Sequence, residues 1–169
     1  DGYSVWAGYD YPVSLPIAFK LASPTGSAVV DASVFLGICE TICIPLQAML
    51  AVDPAADPEN ADDAAAVQAA LDALPGPEQP DFGVTVVSAA KESMTVQAAF
   101  PGDPETVDFF IAGDAGYAFG QPEKTIADGK LTFAVPILAR PDQVPAESVL
   151  LHYTLVAGAA AVAGLLPAP

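Results

Sequence analysis

Proline and glycine punctuate this chain so often that no long apolar helix fits between them: it carries 17 prolines and 13 glycines, spread along its length. Yet 53% of the residues are hydrophobic, enough for a substantial core. Apolar material cut into short runs by turn formers reads as strands and turns. At 169 residues, the chain has room for one ordinary domain or two small ones.

The segments follow from that punctuation. Tyr11–Leu21 reads as extended, with Val13, Leu15, Ile17 and Phe19 on one face and Pro12 and Pro16 pushing it toward a sheet edge. A turn at Ser23–Gly26 leads to a strand over Ala28–Ile38, and another apolar run covers Leu46–Val52. The acidic, alanine-rich stretch Asp57–Leu74 predicts the one helix, with Asp57 as N-cap, Pro58 at its first position and an apolar stripe of Val67, Ala70, Leu71 and Leu74. Pro75–Pro80 ends it. Beyond lie candidate strands at Phe82–Ser88, Ser93–Phe100, Val107–Ala112, Glu123–Ile126, Leu131–Leu138 and Val149–Ala157, parted by turns such as Asp128-Gly129-Lys130. Strands without intervening helices suggest a small antiparallel sandwich. The predicted class is mainly β, with sandwich segments and one short helix. Its expected organisation is a cysteine-bearing partial sandwich over 1–56, a helix and Pro-rich linker over 57–80, and a second sandwich-like segment over 81–169.

Charge excludes some partners. The 21 acidic residues against 5 basic ones give a formal net charge of −16. Such a surface repels nucleic-acid phosphates and anionic headgroups, and Lys20, Lys91, Lys124, Lys130 and Arg140 form no run. A protein partner with a basic face fits better. Leu155–Leu166 is the longest apolar stretch and is too short to cross a bilayer, so it reads as a terminal strand or tail and no membrane insertion is expected. The chain opens on Asp1-Gly2-Tyr3, and an export signal is expected to have been removed or to lie outside it.

Chemistry concentrates at Cys39-Glu40-Thr41-Ile42-Cys43-Ile44-Pro45. Cysteines at this spacing pair only if the backbone curls: on a helical turn their Cα atoms lie about 6 Å apart, and along one extended strand about 13 Å. A turn of helical type is therefore the expected geometry. Three uses compete. A structural staple is one, although so short a loop stabilises little. Reversible thiol–disulfide exchange is another, since strained or exposed bridges are the labile ones. The third is a soft monovalent copper site, with His152 as a third ligand and Met49 and Met94 as thioether donors. Glu40, between the cysteines, could raise a thiol's pKa or accept a proton during exchange. No Lys, Arg or His lies near the pair in sequence, which favours a disulfide attacked by a partner's thiolate. No G-x-S-x-G elbow and no nucleotide-binding glycine motif is present, so hydrolase and nucleotide readings are weak.

Gly8-Tyr9, then Pro12-Val13-Ser14-Leu15-Pro16, then Cys39-Glu40-Thr41-Ile42-Cys43-Ile44-Pro45 resembles the periplasmic N-terminal domain of the thiol:disulfide interchange protein DsbD. The spacing is most similar to the copper-sensitivity-suppressor and stand-alone variants. The resemblance implies an immunoglobulin-like sandwich in the periplasm and a protein-disulfide reductase type of activity. Cys39 and Cys43 would shuttle electrons between a membrane reductase domain and thioredoxin-fold partners, with no bound cofactor. A copper-tolerance module using Cys39, Cys43 and His152 is the alternative. The family's capping loop lies upstream of this pattern, so the resemblance leaves two expectations open: the chain is a fragment, or the missing strands of that sandwich come from another chain.

Overall fold

The computed structural model describes residues 8–9, 11–20, 29–40, 42–113, 116–141 and 149–169. They fall into two compact units, one over Tyr9–Ala73 and one built on Leu74–Pro169. The protein is mainly β, as its punctuation predicts, with one α-helix among the described residues.

Among the described residues, the first unit holds one hairpin and the helix. Strand β1 (Val30–Cys39) pairs antiparallel with β2 (Cys43–Val52) through ten rungs, from Val30 opposite Val52 to Cys39 opposite Cys43. Because side chains alternate across a strand, one face carries Val30, Ala32, Val34, Leu36 and Ile38 with Ile44, Leu46, Ala48, Leu50 and Val52. That face is wholly apolar. The other carries Asp31, Ser33, Phe35, Gly37 and Cys39 with Cys43, Pro45, Gln47, Met49 and Ala51. Tyr11–Lys20, expected to be extended at a sheet edge, joins no ladder; Leu21 lies outside the described residues.

Helix α1 (Ala61–Asp72) begins later than expected. Asn60, not Asp57, is the N-cap: its side-chain oxygen accepts from the Asp63 N–H at 2.9 Å. Asp57 instead closes the preceding turn, its carbonyl accepting from Asn60 N–H and its carboxylate from the Asn60 amide. Both residues are good caps, and the one three positions before a free backbone N–H prevails. Val67, Leu71 and Leu74 of the expected stripe are exposed, and Ala70 is buried.

The second unit is a sandwich of two sheets. One has the order β3 (Gly76–Pro77), β11 (Ala160–Pro167), β10 (Leu150–Ala157), β6 (Val107–Ala112). The other has the order β4 (Gly83–Ala89), β5 (Ser93–Ala99), β9 (Lys130–Ala139), β7 (Ala118–Phe119), with β8 (Glu123–Ala127) also on β9. Period-two sets from both sheets meet in one core: Met94, Val96 and Ala98; Leu131, Phe133, Val135 and Ile137; Val107 and Phe109; Leu151, Tyr153 and Leu155. Phe109 stacks on Phe133 across the sheets at 5.3 Å between centroids. Pro75–Pro80, expected as linker, is partly structural here, since Gly76 and Pro77 pair parallel to Val162 and Ala163. Leu155–Leu166, expected as a terminal strand or tail, is divided between β10, a turn at Gly158 and β11.

Candidate functional site: a disulfide closing the first hairpin

The hairpin delivers Cys39 and Cys43 to each other as its terminal rung. They form a disulfide with a Cα–Cα distance of 4.0 Å. The expected helical turn is not used. A single extended strand would hold these residues too far apart, but a chain that folds back after Cys39 sets them directly opposite. Glu40 N–H donates to the Ile42 carbonyl at 3.2 Å within the turn. The bridge joins the tips of two ordinary strands and needs no irregular backbone in β1 or β2.

The surroundings are open and apolar. Cys39, Glu40, Ile42 and Cys43 are all exposed, so both sulfur-bearing residues and the intervening carboxylate lie at the surface. On the cysteine face, Phe35 is 71% and Met49 69% exposed. Pro45, two residues beyond Cys43, shares that face. Met49 and Pro45 stand out in sequence for other reasons, but their grouping with Phe35 depends on the register; once Cys39 and Cys43 are placed opposite, odd numbering finds all three. No basic residue stands between Lys20 and Lys91, so the whole hairpin and helix lack a cation of their own.

His152 and Met94 belong to the other unit. His152 is exposed in β10, opposite Ala112 on one side and Leu165 on the other. Met94 is 1% exposed inside the sandwich core, where it fills space between the sheets. No group of three or more His, Cys, Asp or Glu side chains that could hold a metal ion occurs among the described residues.

A second polar cluster has a structural reading. Tyr153 donates its hydroxyl hydrogen to Glu78 and accepts from the Val84 N–H at 3.4 Å. Burial, then the hydrogen bond to Glu78, pushes its pKa up to about 12. It ties β10, β4 and the segment after β3 together. Every member is satisfied within the protein, and no reactive group adjoins it.

Fold and site together define a mainly β protein with two units, a sandwich and a hairpin closed at its tip by an exposed disulfide. Among solved structures, the chain is similar to the crystal structure of the N-terminal periplasmic domain of ScsB from Proteus mirabilis, with a TM-score of 0.59 and 14% sequence identity. The match covers 83% of this chain and 58% of that one, so the chain spans less than two-thirds of this relative's length. ScsB is a DsbD-like protein, and the likeness expected from the C-x3-C pattern is therefore present as a likeness of fold. No family model and no curated protein matches the chain. No helix among the described residues is long and apolar enough to cross a membrane.

Proposed function

We propose that this protein performs thiol–disulfide exchange in the periplasm, passing electron pairs through Cys39 and Cys43 between a membrane reductase and thioredoxin-fold partners. The observation that carries the reading is an exposed disulfide on the last rung of a hairpin, where a partner's sulfur can reach it. The fold likeness to a periplasmic domain supports the location. A loop this short makes a weak staple by the chain-entropy account, which favours a reactive role over a structural one.

A thiolate on the reduced partner attacks one sulfur of the pair; a new S–S bond joins the two proteins and the other cysteine leaves as thiolate. The partner's second thiolate then attacks the mixed disulfide. The partner departs oxidised, and Cys39 and Cys43 remain as a dithiol carrying two electrons. Reversal against an oxidised acceptor restores the bridge. Glu40, between the two cysteines in sequence, is the proposed proton acceptor and donor for these steps. With no Lys, Arg or His near it in sequence to stabilise a thiolate, the pair suits the role of a disulfide that is attacked.

The deciding measurement is the reduction potential, by equilibration in glutathione buffers with thiol trapping and intact mass. A value of roughly −120 to −270 mV is expected of a shuttle, and one well below about −300 mV would identify a staple. Copper binding by the same cysteines is the second reading, since the reduced rung presents two thiolates side by side, the donor type that monovalent copper accepts. Competition against a chelator for monovalent copper, with and without Cys39→Ser and Cys43→Ser, tests it. Retention of copper by the double variant would rule it out.

A further inference from the structure

Gly37 lies inside strand β1, where nothing in the hairpin itself asks for glycine. A glycine weakens a strand interior, and it is kept there for a bulge or bend, for a positive φ, for crowding, or because another backbone or a ligand comes close. The first three reasons do not apply. The rungs of β1 and β2 run in unbroken register, with Gly37 opposite Pro45. The glycines at positive φ are Gly102, Gly116, Gly129 and Gly158, not Gly37. Among the described residues, a Cβ added at Gly37 would meet only Cys39 Sγ, at an ordinary contact distance of 3.7 Å. At Gly113 and Gly164 the nearest atom would lie at 2.8 and 2.6 Å.

We propose that Gly37 is a specificity-determining residue of the exchange reaction: it leaves a notch beside the disulfide that receives the main chain flanking a thioredoxin-fold partner's reactive cysteine. The inference rests on the exchange function proposed above.

The geometry of the mixed disulfide sets the need. Such a bond holds the Cα atoms of its two cysteines about 4.4–6.8 Å apart, so the partner's backbone is drawn onto this face whichever sulfur is attacked. Along the hairpin that backbone meets the turn at Glu40 and Ile42 on one side and the Gly37–Pro45 rung on the other. Successive residues on one face of a strand are about 6–7 Å apart, within reach of the residues beside the partner's cysteine. The rung offers no side chain at 37 and a compact ring at 45, and both residues are exposed. Beyond it, Phe35 belongs to the same face and is 71% exposed. A valine at 37 would fill the gap between Cys39 and Phe35. A small dithiol brings no flanking chain and does not need the gap.

The test compares the rates at which dithiothreitol and reduced thioredoxin open Cys39–Cys43 in the intact protein, by acid quench, thiol trapping and intact mass. With either reductant, its two thiols close to a disulfide as the rung becomes a dithiol. Gly37→Val is expected to slow thioredoxin at least about tenfold and to change the dithiothreitol rate less than about twofold, with the reduction potential unchanged. Gly37→Ala, which adds only the 3.7 Å contact, should fall between wild type and valine with thioredoxin. Valine is a better strand former than glycine, so the hairpin is expected to persist, and Gly37→Ala decides alone if it does not. Equal slowing of both reductants would overturn the proposal, since the added side chain would then be shielding the sulfur itself. So would undiminished reduction of both variants by thioredoxin. A wild-type bridge that dithiothreitol opens and thioredoxin does not would refute the exchange reading as well, and that result is seen before any variant is made.

Discussion

Tyr153 shows how one side chain can decide whether two sheets hold together. Its ring lies over Gly164, its partner in β11, so closely that a Cβ there would sit 2.6 Å from Cε1 and 2.7 Å from a Glu78 carboxylate oxygen. Neither ring nor carboxylate can retreat without giving up a hydrogen bond. Gly164→Ala is expected to cost about 1–3 kcal/mol, the usual range for overpacking, readable by denaturant unfolding. The raised pKa adds a pH signature. The folded protein keeps the phenol proton more tightly than the unfolded chain, so the contribution to stability is whole below pH 10 and declines as pH rises from 10 toward about 12. Tyr153→Phe should remove that decline and lower neutral-pH stability by roughly 1–2 kcal/mol, since Glu78 and Val84 N–H each lose a partner. Unfolding curves at several alkaline pH values check both statements.

Elements were legible in proportion to how local their causes are. Val107–Ala112 has the strand limits read from its alternation, and the limits of the neighbouring strands shift by at most one residue. Asp128 and Gly129 take positive φ values of 52° and 72°, as a two-residue hairpin turn between β8 and β9 requires. Helix α1 was visible in composition, while its start was decided by which of two capping residues reached a free N–H. Asn60→Ala is therefore expected to cost about 0.5–2 kcal/mol of helix stability, with Asp57→Ala costing less, by far-UV circular dichroism during thermal unfolding. The site was half legible. Cys39, Cys43 and Glu40 stand out by spacing, but the way they meet depends on a fold-back between two strands, which intra-strand distances do not reveal. Strand β3 was hidden for a related reason, because Gly76 and Pro77 become a strand only by lying beside residues 86 positions later in sequence.

At the scale of the molecule, two units carry different burdens. Every residue of the buried core cluster lies in the second unit, between Val84 and Leu166. The disulfide lies in the first. Reduction by a small thiol is accordingly expected to leave the main calorimetric transition unmoved, while a fall of several degrees would show that the sandwich leans on the hairpin. Charge acts at this scale too. A net charge of −16 should make encounter with a basic partner fall steeply as ionic strength rises. Exchange rates measured against such a partner from low to high salt would show it, and a flat profile would refute it.

The terminal rung has one more consequence. Nine further rungs hold β1 to β2, and none of them depends on the covalent bond between the sulfurs. After reduction, each thiol therefore still faces the other at the effective concentration of an intramolecular neighbour, far above that of any thiol in solution. A mixed disulfide formed at either cysteine stands beside its own resolving group from the moment it appears. Such an adduct is brief by construction, and trapping a partner on this protein requires the second cysteine to be taken away.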